Sequence, residues 1–259
     1  MTQPRIIVSG NPSWLDQLAR AVASLDMALV AYDSLDSYGT RLTDDHAAAI
    51  VVDGQRSEWQ RWTSIPKSSP ATRRIPIALV SDDHKQREAS RKYGADTALP
   101  IAQIESALAE WLSEHARVLN QDVQARLEDQ CGEALPQRAR DAIAMFNAGE
   151  YYQQHDLFEA QWMEEEGPVR DLYRAILQVG VAYYQIERGN RNGALKMLLR
   201  SVQWLNILPD RCQGVNVSRL RADVTRVREA LEAFPSTADL ADFDRSLLGA
   251  VEWSEDASA

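Results

Sequence analysis

Apolar residues fall along this chain in two rhythms. Between residues 5 and 100 they come in short unbroken runs, Ile6-Ile7-Val8, Ala47 to Val52 and Ile75 to Val80. Between the runs lie stretches with apolar positions three and four apart, such as Leu15, Leu18, Ala19, Val22 and Leu25. Unbroken runs suit strands covered on both faces, and the three-four spacing suits the helices that cover them. The spacing predicts strands at 5–8, 27–31, 47–52 and 75–80, a helix over 12–25, another over 85–93 stopped at Gly94, and a short last strand before Pro100. The fold class expected for residues 1–119 is therefore α/β, a doubly wound parallel sheet.

After Pro100 the strand rhythm stops. Ile101, Ile104, Leu108, Trp111, Leu112, His115 and Leu119 form one helical stripe that closes the first domain. Residues 120–134 are mostly polar and read as an exposed helical linker. From 135 to 236 the helices are punctuated by Gly149, Gly167, Gly189 and Pro235, with Pro136 and Pro168 in first turns and Asn190 as a cap. That pattern predicts an antiparallel all-α bundle with no strands in it. In the tail, 237–259, Leu240, Phe243, Leu247, Leu248 and Val251 predict a short amphipathic helix that docks on its own chain or on a partner, with 254–259 disordered.

Charge narrows the function. The 259 residues carry 28 Lys plus Arg against 38 Asp plus Glu, a formal charge of -10, which leaves no basic excess for a phosphate backbone. There is no apolar run of about 18 residues and no signal-like start, so the expectation is a cytoplasmic protein without membrane or nucleic-acid partners. The two cysteines, Cys131 and Cys212, stand in no metal-ligand spacing and read as free thiols. Asp44-Asp45 and Asp82-Asp83 read as caps beside helix ends. No cofactor is expected.

The first domain has strands ending at Asp53 and Ser81, followed by Tyr93-Gly94-Ala95-Asp96 before the last strand. On these residues it resembles the receiver domain of two-component response regulators. The resemblance implies a phosphoacceptor at Asp53, two acids after the first strand to hold Mg²⁺, and a Lys before Pro100. Here Ser9-Gly10 stands in place of the acids and Leu99 in place of the Lys. Without carboxylates for the cation and without the Lys, charge developing on a phosphoryl group has no partner. Asp53 is expected to be an inactive phosphoacceptor position that caps a loop instead.

The second domain concentrates unusual residues between Phe146 and Trp162, with His155 and Glu159 one helical turn apart. Together with Gly189-Asn190-Arg191-Asn192-Gly193-Ala194, this stretch resembles the helical family known as domain of unknown function 309, which implies a compact bundle and no specific activity. The plain reading of His155 and Glu159 is a buried pair that fixes helix packing. The same spacing also serves a carboxylate-oriented histidine or two metal ligands, although no second pair completes a metal site. Tyr151, Tyr152, His155, Glu159, Trp162, Arg174, Gln178, Arg188 and Asn190 form the candidate set for a polar pocket that takes a small anionic or aromatic ligand.

These features point to a non-catalytic regulatory or interaction protein. The receiver-like domain would associate with itself or with a protein partner, and the bundle would carry the recognition pocket. The alternative is a metal-assisted or general-base hydrolase using His155 and Glu159.

Overall fold

The computed structural model describes residues 3–118, 121–235 and 239–255. They form two compact units, Met1–Val118 and Leu119–Ala259.

The first unit is a five-stranded sheet of β1 (Arg5–Ser9), β2 (Ala28–Tyr32), β3 (Ala47–Asp53), β4 (Ile77–Val80) and β5 (Thr97–Leu99). Every pairing is parallel and the order is β2-β1-β3-β4-β5. This is the strand order of the flavodoxin-like doubly wound class, and its crevice lies at the carboxyl ends of β1 and β3, where the order reverses. Successive residues of a strand face opposite sides, so the unbroken apolar runs feed two cores. Ile6, Val8, Val51, Ala78 and Val80 pack on one face with Trp14, Leu18, Ile104 and Leu108. Ile7, Ile50, Val52, Ile77 and Leu79 pack on the other with Tyr38, Leu42, Trp59 and Trp62. The covering helices are α1 (Leu15–Ser24), α2 (Tyr38–Asp44), α3 (Trp59–Ser68), α4 (His84–Ala89) and α5 (Ala109–His115), with α4 continued by a 3-10 turn up to Tyr93.

Of the acid pairs, Asp83 is the cap expected, its carboxylate accepting the Lys85 N–H at the start of α4. Asp45 does something else: it takes an ion pair from Arg5 and the hydroxyl hydrogen of Tyr32. Asp82 accepts the Ile101 N–H and so fixes the segment after β5.

The second unit contains α6 (Gln121–Cys131), α7 (Gln137–Asn147), α8 (Gln153–Glu164), α9 (Arg170–Glu187), α10 (Arg191–Leu205) and α11 (Val217–Ala233). α9 lies between α8 and α10 and is the spine of the bundle, with Leu172, Tyr173, Ile176, Val179, Tyr183 and Ile186 fully buried. No helix among the described residues is long and apolar enough to cross a membrane.

Four expectations fail here. The bundle does contain strands, a small antiparallel hairpin of β6 (Arg211–Cys212) and β7 (Val215–Asn216), turned by Gln213 and Gly214, both at positive φ. The 120–134 stretch holds the largely exposed helix expected, α6, but it is not a linker outside the bundle, because Leu127, Cys131 and the following Leu135 belong to the second core. The cysteines are not free: Cys131 and Cys212 form a disulfide across 81 residues of sequence, since the fold brings the end of α6 against the hairpin.

The tail, finally, is not an α-helix. It makes two 3-10 turns, Leu240–Asp242 and Arg245–Leu247, each begun by an aspartate whose carboxylate accepts a backbone N–H two residues on. It then runs extended beside β7, bridging Val215 with Trp253, and its Glu252 carbonyl accepts the Asn216 N–H. Such local side-chain bonds compete with helix formation, so the three-four apolar spacing is met by turns that bury Leu240, Phe243 and Val251 on the chain's own core. Of the 254–259 end expected to be disordered, Ser254 and Glu255 are described, and the Ser254 N–H donates to the Gly214 carbonyl. Residues 256–259 lie outside the described residues.

Candidate functional site

Two places gather the residues singled out in the sequence. The first is the crevice at the carboxyl ends of β1, β3 and β4. Asp53 is buried at the end of β3, and its Oδ1 accepts the Gln55 N–H at 3.0 Å, a loop-capping bond. Ser9 Oγ accepts the Asp53 N–H at 2.8 Å, so this residue serves the backbone. Gly10 has φ +70°, and a Cβ placed there would fall inside the guanidinium of Arg56. That guanidinium donates to the Asp33 carbonyl at 2.8 Å and lies 4.9 Å from the centre of the Trp62 ring. A resident cation thus abuts the Ser9-Gly10 turn.

On the β4 side, Ser81 Oγ donates to Gln86 Oε1 at 2.7 Å, and Arg87 Nη1 donates to the Ser81 carbonyl at 2.6 Å. A Cβ on Gly54 would come within 2.6 Å of Ser81 Cβ and 2.8 Å of Gln86 Oε1. The amide of Gln86 therefore covers the backbone just after Asp53. Leu99, half-buried at the end of β5, packs against the apolar core.

The second place is the half-buried face of α9 where it lies between α8 and α10, here called the groove. Its register follows from the side-chain contacts between the helices. Along the antiparallel pair α8 and α9, Arg174 lies over the Trp162 ring at 4.4 Å, and Tyr152 meets Tyr184 at 5.3 Å. Between these anchors, helical spacing sets Glu159 near Gln178 and His155 near Val181. Along α9 and α10, Arg174 lies over the Trp204 ring at 4.2 Å, and Gln185 approaches Gly193. The same step places Arg200 opposite Gln178. On α9 the half-buried positions Arg174, Gln178, Val181 and Gln185 are the floor, and the rest of that helix is largely interior.

The chemistry of the groove is uneven. One end is closed by a stack of indole, guanidinium and indole, Trp162-Arg174-Trp204, in which Arg174 also pairs with Asp171 at 3.2 Å. Each partly desolvated cation–aromatic contact contributes roughly 0.5–2 kcal/mol, so this end is stiff. Beside it, Trp162 Nε1 and Gln178 Oε1 are buried and make no hydrogen bond within the protein. An N–H donor and a carbonyl acceptor left in this way cost about 1–3 kcal/mol each unless something fills them.

His155 and Glu159 do not form the sealed pair expected. His155 remains about one-third exposed, and its Nδ1 contacts Oδ1 of the neighbouring Asp156 at 3.2 Å. Among the described residues no three His, Cys, Asp or Glu side chains converge on a point that could hold a metal ion. The candidate set divides further. Tyr151 turns inward, edge-on to Phe146 and Tyr183, and burial raises its pKa. Tyr152 is 64% exposed at the groove's open end.

Arg188 and Asn190 sit in the α9–α10 turn, roughly 21 Å along the helix from Arg174. Asn190 caps α10 by accepting the Gly193 N–H and donates to Gln185. Arg188 is exposed there, away from the aromatic stack. Trp204 and Arg200 were missing from the candidate set. Their spacing with Gly193 and Met197 is a helical stripe, but only the pairing of α10 with α9 turns that stripe into a wall.

Comparison with known proteins bears on this unit. No curated protein matches the chain. Among solved structures, full-length FixJ from B. japonicum aligns over 78% of this chain and 98% of its own at 17% identity, with a TM-score of 0.31, an overlap too small to bear on fold or function. Residues 139–197 match the family model described as Domain of unknown function (DUF309). That match runs from α7 through α8 and α9 into the first turns of α10, so the DUF309 pattern coincides with most of the groove.

Proposed function

We propose that this protein is a non-catalytic regulator in which a receiver-like unit that does not accept phosphate is coupled to a helical unit that recognises a small ligand in the α8–α9–α10 groove. The observation that carries the reading is the occupied crevice around Asp53. Where the resemblance calls for carboxylates and a cation, Arg56 fills the space next to Gly10 and Gln86 covers Ser81. Phosphoryl transfer in this class relies on a divalent cation held by carboxylates beside the acceptor, and Ser9-Gly10 supplies no carboxylate to hold one. An acid introduced at position 10 would meet Arg56 rather than a free metal site, and Leu99 supplies no charge. The fold therefore serves as a surface rather than as a switch driven by aspartyl phosphate.

The groove is the complementary half of the reading. Trp162 Nε1 and Gln178 Oε1, buried without a partner in the protein beside a rigid aromatic wall, are a donor and an acceptor that a planar polar ligand entering there would satisfy. Incubating the full chain with a small phosphodonor and Mg²⁺, followed by intact-mass measurement, tests the first half. The expected spectrum shows no adduct; stoichiometric addition at Asp53 would sink the proposal.

A further inference from the structure

One turn along α9 from the Trp162-Arg174-Trp204 stack, the half-buried stripe reaches Gln178, with Glu159 of α8 on one side and Arg200 of α10 on the other. The placement follows from antiparallel counting. Arg174 meets Trp204 and Gln185 meets Gly193, so four residues up α9 from Arg174 is four residues back along α10 from Trp204, at Arg200. On the other side Arg174 meets Trp162 and Gly180 packs on Gln154, which brings Glu159 to the same level. Glu159, Gln178 and Arg200 are each half-buried, so each still opens to solvent. Among the described residues neither the Glu159 carboxylate nor the Arg200 guanidinium enters a hydrogen bond or an ion pair, and Gln178 Oε1 is buried without a partner. The neighbouring charges are committed elsewhere, Arg174 to Asp171 and the two indoles, His155 to Asp156. What is left is an acid and a cation on opposite walls with a carbonyl acceptor between them. At the stack the same two walls hold one planar polar group, the Arg174 guanidinium, 4.4 and 4.2 Å from the indole centres. The walls stand apart by the room of one small group.

We propose, on the reading of this face as a ligand site, that it binds a small zwitterion of the α-amino acid class between Glu159 and Arg200. A ligand of one sign would pair with one wall and leave the opposite charge partly desolvated and unpaired beside it. A zwitterion meets both walls and brings no net charge. Its ammonium donates to the Glu159 carboxylate and to Gln178 Oε1, with a third hydrogen left for water. Its carboxylate accepts from the Arg200 guanidinium, whose planar fork matches that group. Both charged groups hang from one carbon, so a single small molecule reaches the two walls with little internal freedom to lose. The Trp162 N–H, buried beside them, is left for an acceptor elsewhere on the ligand.

Titration calorimetry of the full chain against the free L-amino acids, one at a time, tests this, followed by the deaminated acid and the decarboxylated amine of the tightest binder. At least one amino acid is expected to bind once per chain, and removal of either charged group to weaken it by at least about tenfold. Glu159→Gln and Arg200→Gln are each expected to weaken the same amino acid by at least about tenfold, whereas Lys196→Gln, at an exposed position of α10, leaves it within about twofold. A deaminated or decarboxylated relative that binds as tightly as the amino acid would overturn the proposal, as would binding that either wall variant leaves unchanged. Failure of every amino acid would overturn it too, and benzoate and benzamide, titrated alongside, show how much falls. If either of them binds, the α9 face stands as a site for another ligand; if neither does, that reading falls as well. The comparison of ligands uses the unaltered chain, so it decides the matter even if a variant does not fold.

Discussion

Gly10 shows how one backbone position decides what a crevice can hold. Its φ of +70° is open to glycine and costs other residues roughly 1–2 kcal/mol, and the space a side chain would need is taken by Arg56. Gly10→Ala is therefore expected to destabilise the first unit by at least about 1 kcal/mol, measured as a lower urea midpoint. Part of that loss should vanish in a Gly10→Ala, Arg56→Ala pair, because only the backbone strain then remains. Additive losses in the pair would mean that Arg56 does not fill the space. The absence of acids after β1 is plain from Ser9-Gly10 alone. The filling of their place is not, because Arg56 reaches Gly10 only through the pairing of β1 with β3, and neither residue's neighbours in sequence announce the other. His155 and Glu159 illustrate the reverse case: their spacing was visible, yet Nδ1 of His155 turns to Asp156.

At the scale of elements, the tail depends on a few anchors whose removal has local effects. Asn147, at the end of α7, donates through Nδ2 to the Val251 carbonyl at 3.0 Å and accepts the Val251 N–H at 2.8 Å, which makes its amide a surrogate strand for that residue. Gly214, at φ +78°, lets the tail approach so closely that a Cβ there would strike the Ser254 carbonyl. Asn147→Ala is expected to cost about 1–2 kcal/mol, two net hydrogen bonds, and to speed proteolysis between 246 and 255 while cleavage inside α9 stays slow. The strands β1, β3 and β4 were legible because an unbroken apolar run has few other uses in a chain of this composition. The helices from α7 to α11 were legible from glycine and proline punctuation. The tail was misread because apolar spacing alone does not distinguish one helix from two short turns, and Asp239 and Asp244, which decide the matter, read equally well as solvated charge. The hairpin at 211–216 is too short to show a period at all, and it is stabilised by the tail and by the cystine.

Across the whole molecule, both units keep tyrosines whose phenols resist ionisation, and this sets an alkaline limit on stability. In the first unit burial raises the pKa of Tyr32, with further help from the hydrogen bond to Asp45, whose negative charge disfavours a phenolate; burial also raises that of Tyr38. In the second unit burial does the same for Tyr173 and Tyr183, the nearby carboxylate of Asp223 adding to the effect on Tyr183. The sign follows from proton binding. Near pH 10 the unfolded chain begins to release its phenolic protons while the folded chain keeps them, so the unfolded state binds fewer protons and the free energy of unfolding falls as pH rises. Below about pH 9 both states hold these protons and the contribution is complete. Urea midpoints are therefore expected to be insensitive to these groups between about pH 7 and 9 and to fall steadily above about pH 10, with tyrosinate absorbance appearing together with unfolding rather than before it. Tyr32→Phe should make the alkaline slope of the first unit shallower, with Tyr38 still contributing, while leaving that of the second as it was, since one of the phenols that lose their protons on unfolding has been removed from one core only. A slope in the first unit as steep as that of the unaltered chain would show that Tyr32 ionises as readily in the fold as out of it.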